Sequence, residues 1–255
     1  MQNPINPFKS RLARGTQQLG LWMTLQGSAT AEALATCGYD WLLIDTEHAP
    51  MELADVLPAL QAVAAYPDVA PVVRLVENDT ALIKKALDIG AQTLMIPYVQ
   101  TAEEARAAVA AMRYAPRGLR GSAGATRATR YGLVENYAQI AEEELCLIVQ
   151  VETIAAMDHL EDIASVDGVD AVFIGPADLA CSMGHAGNPS HPEVKAVVLD
   201  AMARLKARGV PSGILTLDEA FTTECIAAGT RFTALSIDVM LMVEAARALV
   251  SKRRG

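Results

Sequence analysis

Aromatic residues are scarce in this chain of 255 residues: Trp 2, Tyr 6 and Phe 4, together 5%. Hydrophobic residues still reach 52% and charged residues only 20%, which describes a globular protein with an aliphatic, Ala-rich interior and not a disordered chain. Positive charge is the second shortage. Lys+Arg number 21 against Asp+Glu 30, for a net charge of −9 and a pI near 5.0. Binding a phosphate backbone needs a basic face, so nucleic acid is not the expected partner. No apolar run approaches the roughly 18 residues that span a bilayer, so no membrane partner is expected either. The N-terminus, Met1-Gln-Asn-Pro-Ile-Asn-Pro7, has neither the basic region nor the apolar core of a signal peptide. The cysteines Cys37, Cys146, Cys181 and Cys225 are scattered without C-x-x-C spacing, and a reduced, cytoplasmic protein is the expectation.

Two further absences bear on chemistry. No glycine fingerprint follows the first apolar segment, where Leu21-Trp-Met-Thr24 stands, and no Walker A pattern occurs; a nucleotide cofactor is therefore not expected. The lysines are Lys9, Lys84, Lys85, Lys195, Lys206 and Lys252, and none falls in a predicted strand. A Schiff-base enzyme needs a desolvated amine facing the site. A carbonyl-active protein of this composition instead needs a metal ion as electron sink.

What the chain does have is regular alternation. Predicted strands at 18–25, 40–45, 70–75, 92–99, 146–151, 171–174, 211–216 and 231–236 are separated by predicted helices at 29–37, 52–65, 80–89, 102–112, 134–144, 154–164, 177–183 with 193–207, and 217–228. A short helix at 8–14 precedes them and a last helix at 239–251 follows. Eight strands alternating with helices in one domain of this length is the count of a (β/α)8 TIM barrel, and near-continuous aliphatic strands suit a parallel sheet covered outside. An open doubly wound sheet is the competing arrangement.

In a barrel, the active site lies where strands end and loops begin. Polar residues do gather there: Trp22 and Thr24 near the end of the first strand, Asp45, Glu47 and His48 at the end of the second, Arg74 of the third, Gln150 and Glu152 of the fifth, Asp178 of the sixth, Ser236 and Asp238 of the eighth. Glu152 and Asp178 are oxygen donors suited to a hard divalent cation, though acids in these positions also cap the helices that follow. His48, beside two carboxylates, has the setting of a general base and also that of a polar loop residue. Arg74 points to an anionic substrate or to a structural ion pair. Arg117, Arg120, Arg127 and Arg130, set among glycines in 114–132, suit either a cover over an anionic substrate or a subunit contact.

Taken together, these residues resemble the HpcH/HpaI class II pyruvate aldolase family. The resemblance is carried by Gly20-Leu-Trp22, Asp45-x-Glu-His48-Ala-Pro50, Pro71-Val-Val-Arg74, Arg117-Gly-x-Arg120-Gly, Val149-Gln150-Val-Glu152-Thr, Phe173-Ile-Gly175-Pro-Ala-Asp178 and Gly187-Asn-Pro-x-His191-Pro. Thr46 stands where related sequences often have Gly. The resemblance implies a TIM barrel and an enzyme that reversibly cleaves a 4-hydroxy-2-oxo acid into pyruvate and an aldehyde. A 2-dehydro-3-deoxy-sugar-acid aldolase and a 2-oxo acid decarboxylase are the alternatives, with a non-catalytic barrel the third. It implies Mg²⁺, Mn²⁺ or Co²⁺ on Glu152 and Asp178, with Gln150 and the backbone amides near Gly175 and Ala177 holding pyruvate. Arg74 would stabilise the developing enolate, and His48 would act as base, tuned by Asp45 and Asp88. Trp22, Phe173 and Leu215 would shape the aldehyde pocket. A homohexamer, a dimer of trimers with the last helix exchanged between subunits, is also implied.

Overall fold

The short runs of Val, Ile and Leu do become strands. In the computed structural model, which describes residues 1–254, these are β1 (Gln18–Met23), β2 (Trp41–Asp45), β3 (Ala70–Arg74), β4 (Thr93–Ile96), β5 (Cys146–Val151), β6 (Ala171–Ile174), β7 (Ser212–Leu215) and β8 (Phe232–Ile237). Each pairs in parallel with its sequence neighbours, and β1 pairs with β8, so the sheet closes into a barrel. The (β/α)8 barrel is thus the observed fold.

Between the strands run α2 (Ser28–Ala35), α3 (Leu53–Val63), α4 (Thr80–Asp88), α5 (Ala102–Met112), α6 (Tyr137–Glu144), α7 (Ile154–Met157), α8 (Leu160–Ala164), α9 (Pro176–Ser182), α10 (Pro192–Ala207) and α11 (Glu219–Ala228), framed by α1 (Pro7–Ala13) and α12 (Asp238–Arg254). Several boundaries differ from expectation by a few residues, and three of the differences are instructive. The single helix expected at 154–164 is split at His159, and the two pieces bury Ala156 and Met157, then Leu160, Ile163 and Ala164. The helix expected from 134 starts at Tyr137, because Asn136 is left-handed (φ 55). The strand expected to reach 99 stops at Ile96, before the positive φ of Tyr98.

Strand periodicity sorts the side chains into two cores. On β2, Leu42 and Ile44 face the helices, whereas Trp41 and Leu43 face the barrel axis. The axis is filled from below by Phe8 and Leu12 of α1, which close the N-terminal end against Trp41 and Phe232. Phe8 meets these rings edge-on at 6.0 and 5.3 Å between centroids, a favoured aromatic geometry. Gly20 makes room for this layer: a Cβ there would enter the Trp41 ring. Among the described residues no helix is long and apolar enough to cross a membrane. The last helix, α12, buries only Asp238 and leaves Leu241, Met242, Leu249 and Val250 exposed.

Candidate active site

The same alternation that fills the axis with Trp41 and Leu43 brings Asp45 inward at the upper end of β2. On β3, Ala70 and Val72 are followed inward by Arg74, and on β5 Cys146 and Ile148 are followed by Gln150. Glu152 continues that series one step past the strand. Trp22, Phe173 and Leu215 complete the inner wall on β1, β6 and β7. The result is a 660 Å³ cavity at the C-terminal mouth, lined by Trp22, Asp45, His48, Arg74, Gln150, Glu152, Phe173, Gly175, Ala177, Asp178 and Leu215. Thr24, Pro189, Ser190, Thr216, Leu217 and Val239 extend its outer wall. The site lies on strand ends held rigid by the sheet, where barrel enzymes place their chemistry.

Its electrostatic centre is Arg74. Nε donates to Asp45 Oδ1 at 2.8 Å and Nη2 to Oδ2 at 2.6 Å. This two-point geometry follows from register, since Asp45 and Arg74 are Cα partners across β2 and β3. Trp22 Nε1 also donates to Asp45 Oδ2, at 3.2 Å, and its ring lies 4.9 Å from the guanidinium carbon. Burial pushes the Asp45 carboxyl up, but the hydrogen bonds and charge of Arg74, with the Glu47 amide and Trp22, hold it below the usual carboxylate range. The anionic Asp45 therefore fixes the Arg74 head with guanidinium edge left toward the cavity.

Glu47 takes the other side of the guanidinium. Its Oε2 sits 2.7 Å from Arg74 Nη1, an ion pair outside hydrogen-bond alignment. Burial raises the Glu47 carboxyl, Arg74 and His48 oppose the rise, and Asp45 and Asp178 add to it. Sequence reasoning named the position without giving it a role. The two-residue period that turns Asp45 inward carries on to Glu47 past the strand end, as it does to Glu152, but the ion pair with Arg74 is visible only in the folded loop.

Glu152 is 2% exposed. Its Oε1 accepts the Tyr98 amide at 2.9 Å, and its Oε2 accepts a short hydrogen bond from Gln150 Nε2. Burial first, then the charge of Asp178, pushes its carboxyl up from 4.5 to about 7. The left-handed Tyr98 (φ 55) aims its amide at this carboxylate; such a conformation costs about 1–2 kcal/mol for a residue with a Cβ. Gly175 leaves the space that the Glu152 carboxylate occupies, for a Cβ there would collide with it. The Gln150 Oε1 is buried with no partner.

These observations fit a divalent cation. Two carboxylates, Glu152 and Asp178, face one cavity, closely enough that the charge of Asp178 helps to raise the Glu152 carboxyl, and a buried amide oxygen beside them lacks a donor. Oxygen donors of this kind suit hard ions such as Mg²⁺ and Mn²⁺. The lysines, by contrast, stand on α1, α4, α10 and α12 and none lines the mouth; Lys195 comes nearest, its Nζ bound to the rim carboxylate of Asp218 at 2.5 Å.

Two expected relations take another form. Asp45 is engaged with Arg74 and Trp22 and not with His48, whose Nε2 lies 3.9 Å from Glu47 Oε1 at the exposed rim. Asp88 ends α4 and binds Arg120 at 3.0 Å, outside the residues that line the mouth. The loop arginines have separate anchors too: Arg120 lies against the Tyr114 ring, 4.6 Å away, and Arg127 donates to the Ile89 carbonyl. A second hollow, among Arg106, Arg113 and Arg117 on the outer surface, has its cations already paired with Glu103, Glu142 and Asp167. It offers no free charge to a ligand.

The sequence model of the HpcH/HpaI aldolase/citrate lyase family matches residues 18–245. The chain belongs to that family. A pyruvate aldolase of Rhizobium etli is 57% identical over 99% of both chains. A hydroxypyruvate/pyruvate aldolase of Sagittula stellata is 57% identical over 97% of this chain and 98% of its own. The crystal structure of an HpcH/HpaI aldolase/citrate lyase family protein from Burkholderia cenocepacia superposes with a TM-score of 0.94 at 41% identity, covering 98% of this chain and 100% of that one. Membership of this family makes the chain a carbon–carbon lyase of the aldolase type that acts on small molecules.

Proposed function

We propose that this chain is a class II, metal-dependent aldolase that reversibly cleaves 4-hydroxy-2-oxo acids into pyruvate and an aldehyde. The observation that carries the reading is the buried Glu152 carboxylate with the more open Asp178 facing the same cavity, beside the unpartnered Gln150 oxygen and with Arg74 lining that cavity. Glu152 and Asp178 would hold a divalent cation, which would supply positive charge as an electron sink for the bond that breaks.

The residues divide the remaining work. Gln150 and backbone amides around Gly175 and Ala177, at the start of α9, grip the carboxylate and 2-oxo group, as a helix N-terminus favours anions. His48 takes the proton of the C4 hydroxyl as the C3–C4 bond breaks and the C4 oxygen becomes the aldehyde carbonyl. The electron pair moves to C3 and on to the 2-oxo oxygen, where Arg74, immobilised by Asp45 and Glu47, meets the developing charge without reorganising. A proton returned to C3 gives pyruvate. Trp22, Phe173 and Leu215 form the apolar wall on the aldehyde side.

Relatives named for 4-hydroxy-2-oxovalerate and for 2-keto-3-deoxy-L-rhamnonate support a common pyruvate half and a variable aldehyde half, so a 2-dehydro-3-deoxy-sugar acid is the second substrate class. The exposed apolar residues of α12 support assembly through that helix into a homohexamer of about 160 kDa, six times 27.1 kDa, measurable by light scattering.

The experiment is pyruvate release from a small panel of 4-hydroxy-2-oxo acids after EDTA treatment and again after restoring Mg²⁺, Mn²⁺ or Co²⁺. Activity should vanish and return. Activity indifferent to chelation, or substrate trapped on the protein by borohydride, overturns the reading.

A further inference from the structure

One cluster of ligating side chains lies outside the carboxylate pair. After α9 the chain turns tightly through Gly184 (φ 83) and Gly187 (φ 76), tied by the His185 amide to the Ala180 carbonyl at 2.7 Å and the His191 amide to the Asn188 carbonyl at 3.1 Å. This fold-back stacks the imidazoles of His185 and His191, with ring centroids 3.6 Å apart and 14° between planes. His191 caps α10, its Nδ1 accepting the Glu193 amide at 3.3 Å. Glu193, in the first turn of that helix, brings Oε2 to 3.0 Å from His185 Nε2. One ligand atom from each of the three residues lies within 4.8 Å of the others.

A surface ion pair between His185 and Glu193 accounts for one imidazole. It has no use for a second nitrogen donor stacked on the first. Three donors converging from a tight loop and a helix start are what a metal ion uses. Two imidazoles and one carboxylate select zinc-class ions over magnesium, which prefers oxygen. Tetrahedral zinc, with bonds of about 2.0–2.1 Å, separates its ligand atoms by about 3.3 Å; because the stacked rings aim their in-plane lone pairs side by side, one imidazole swings out of the stack to complete the set. Helix α10 is long, with its buried face of Val194, Val198, Ala201, Met202 and Leu205 packed on the barrel, so it is a rigid support.

We propose that His185, His191 and Glu193 form a second divalent-cation site, selective for zinc-class ions, that clasps the loop between α9 and α10. The clasped loop is not remote from the chemistry. Pro189 and Ser190, between the two histidines, line the mouth cavity, and α9 carries Asp178 in its first turn. An ion there would fix one wall of the aldehyde side without touching the carboxylate pair.

The test uses full-length protein carrying Glu152→Gln, so that zinc at the mouth is suppressed. It is titrated with Zn²⁺ against a chromophoric chelator in excess Mg²⁺, and with Co²⁺ followed by its visible absorption. One equivalent of zinc should bind, and amide exchange across residues 184–191 should slow when it does. His185→Gln and His191→Asn should each weaken binding by tenfold or more, the usual effect of disturbing a metal's support, and asparagine keeps the helix cap. Matching zinc-free melting temperatures show that each variant is folded. If both histidine variants bind zinc with the parent's stoichiometry and affinity, or if Mg²⁺ displaces it, the proposal fails.

Discussion

Replacing Glu152 by glutamine should stabilise the metal-free protein and abolish its stabilisation by Mn²⁺. The carboxyl is 2% exposed and is raised from 4.5 to about 7 by burial and by Asp178. A carboxyl raised in the folded state binds its proton more tightly there than in the unfolded chain. Stability from this group is therefore highest below pH 4.5, falls as pH rises toward 7, and stays low above it. At about 1.4 kcal/mol per pH unit, the full loss is about 3 kcal/mol. Glutamine is isosteric, can still accept from the Tyr98 amide and carries no charge. At pH 8 the metal-free variant should exceed the wild type by up to about 3 kcal/mol, or about 6–12 °C in Tm for a chain of this size, and the gap should close by pH 5. Saturating Mn²⁺ at a hundred times Kd should return about 2.7 kcal/mol to the wild type and almost nothing to the variant. Scanning calorimetry on EDTA-dialysed protein, with and without Mn²⁺ at pH 5 and pH 8, reads both effects. A variant less stable than wild type at pH 8 without metal, or one that gains as much from Mn²⁺, would refute the reasoning.

Arg74→Lys keeps a positive charge but loses the two-point grip on Asp45, so kcat should fall by about 10²–10³-fold, the usual effect of losing a donor at developing charge; pyruvate release measures it, and a loss under threefold contradicts the role given to Arg74. Gly175→Ala drives a Cβ into the Glu152 carboxylate, and calorimetric Mn²⁺ binding should weaken at least tenfold while circular dichroism stays that of a barrel. Phe8→Ala empties the plug beneath Trp41 and Phe232 and should lower stability by about 3–5 kcal/mol in chemical denaturation. Its kcat at 25 °C should stay within twofold of wild type, because the plug lies at the opposite end from the site.

Much of the fold and the mouth was legible in order along the chain. Alternation of aliphatic strands with helices specifies the barrel, and the rule that chemistry sits at strand ends picks out Trp22, Asp45, Arg74, Gln150 and Glu152. These residues continue a two-residue period begun by core side chains, so their inward direction follows from local geometry. Glu152 after β5 and Asp178 after β6 are brought together by neighbouring strands, which sequence order also foretells.

The relations among charged groups were not legible. Period and position place Asp45 near both His48 and Arg74, but only cross-strand register shows its carboxylate spent on the guanidinium. Glu47 keeps the inward period, but its ion pair with Arg74 depends on the loop that follows β2. Asp88 finds Arg120, 32 residues further on in the chain. His185 and His191 look like unremarkable loop residues until the turn stacks them at 3.6 Å. What the sequence determined alone is whatever depends on backbone periodicity: strand count, facing and the end of the barrel that holds polar groups. What only the tertiary structure decided is which charges pair and which carboxyls are pushed up, because electrostatic energies depend on distances of a few ångströms and on burial, and neither is a property of any stretch of chain by itself.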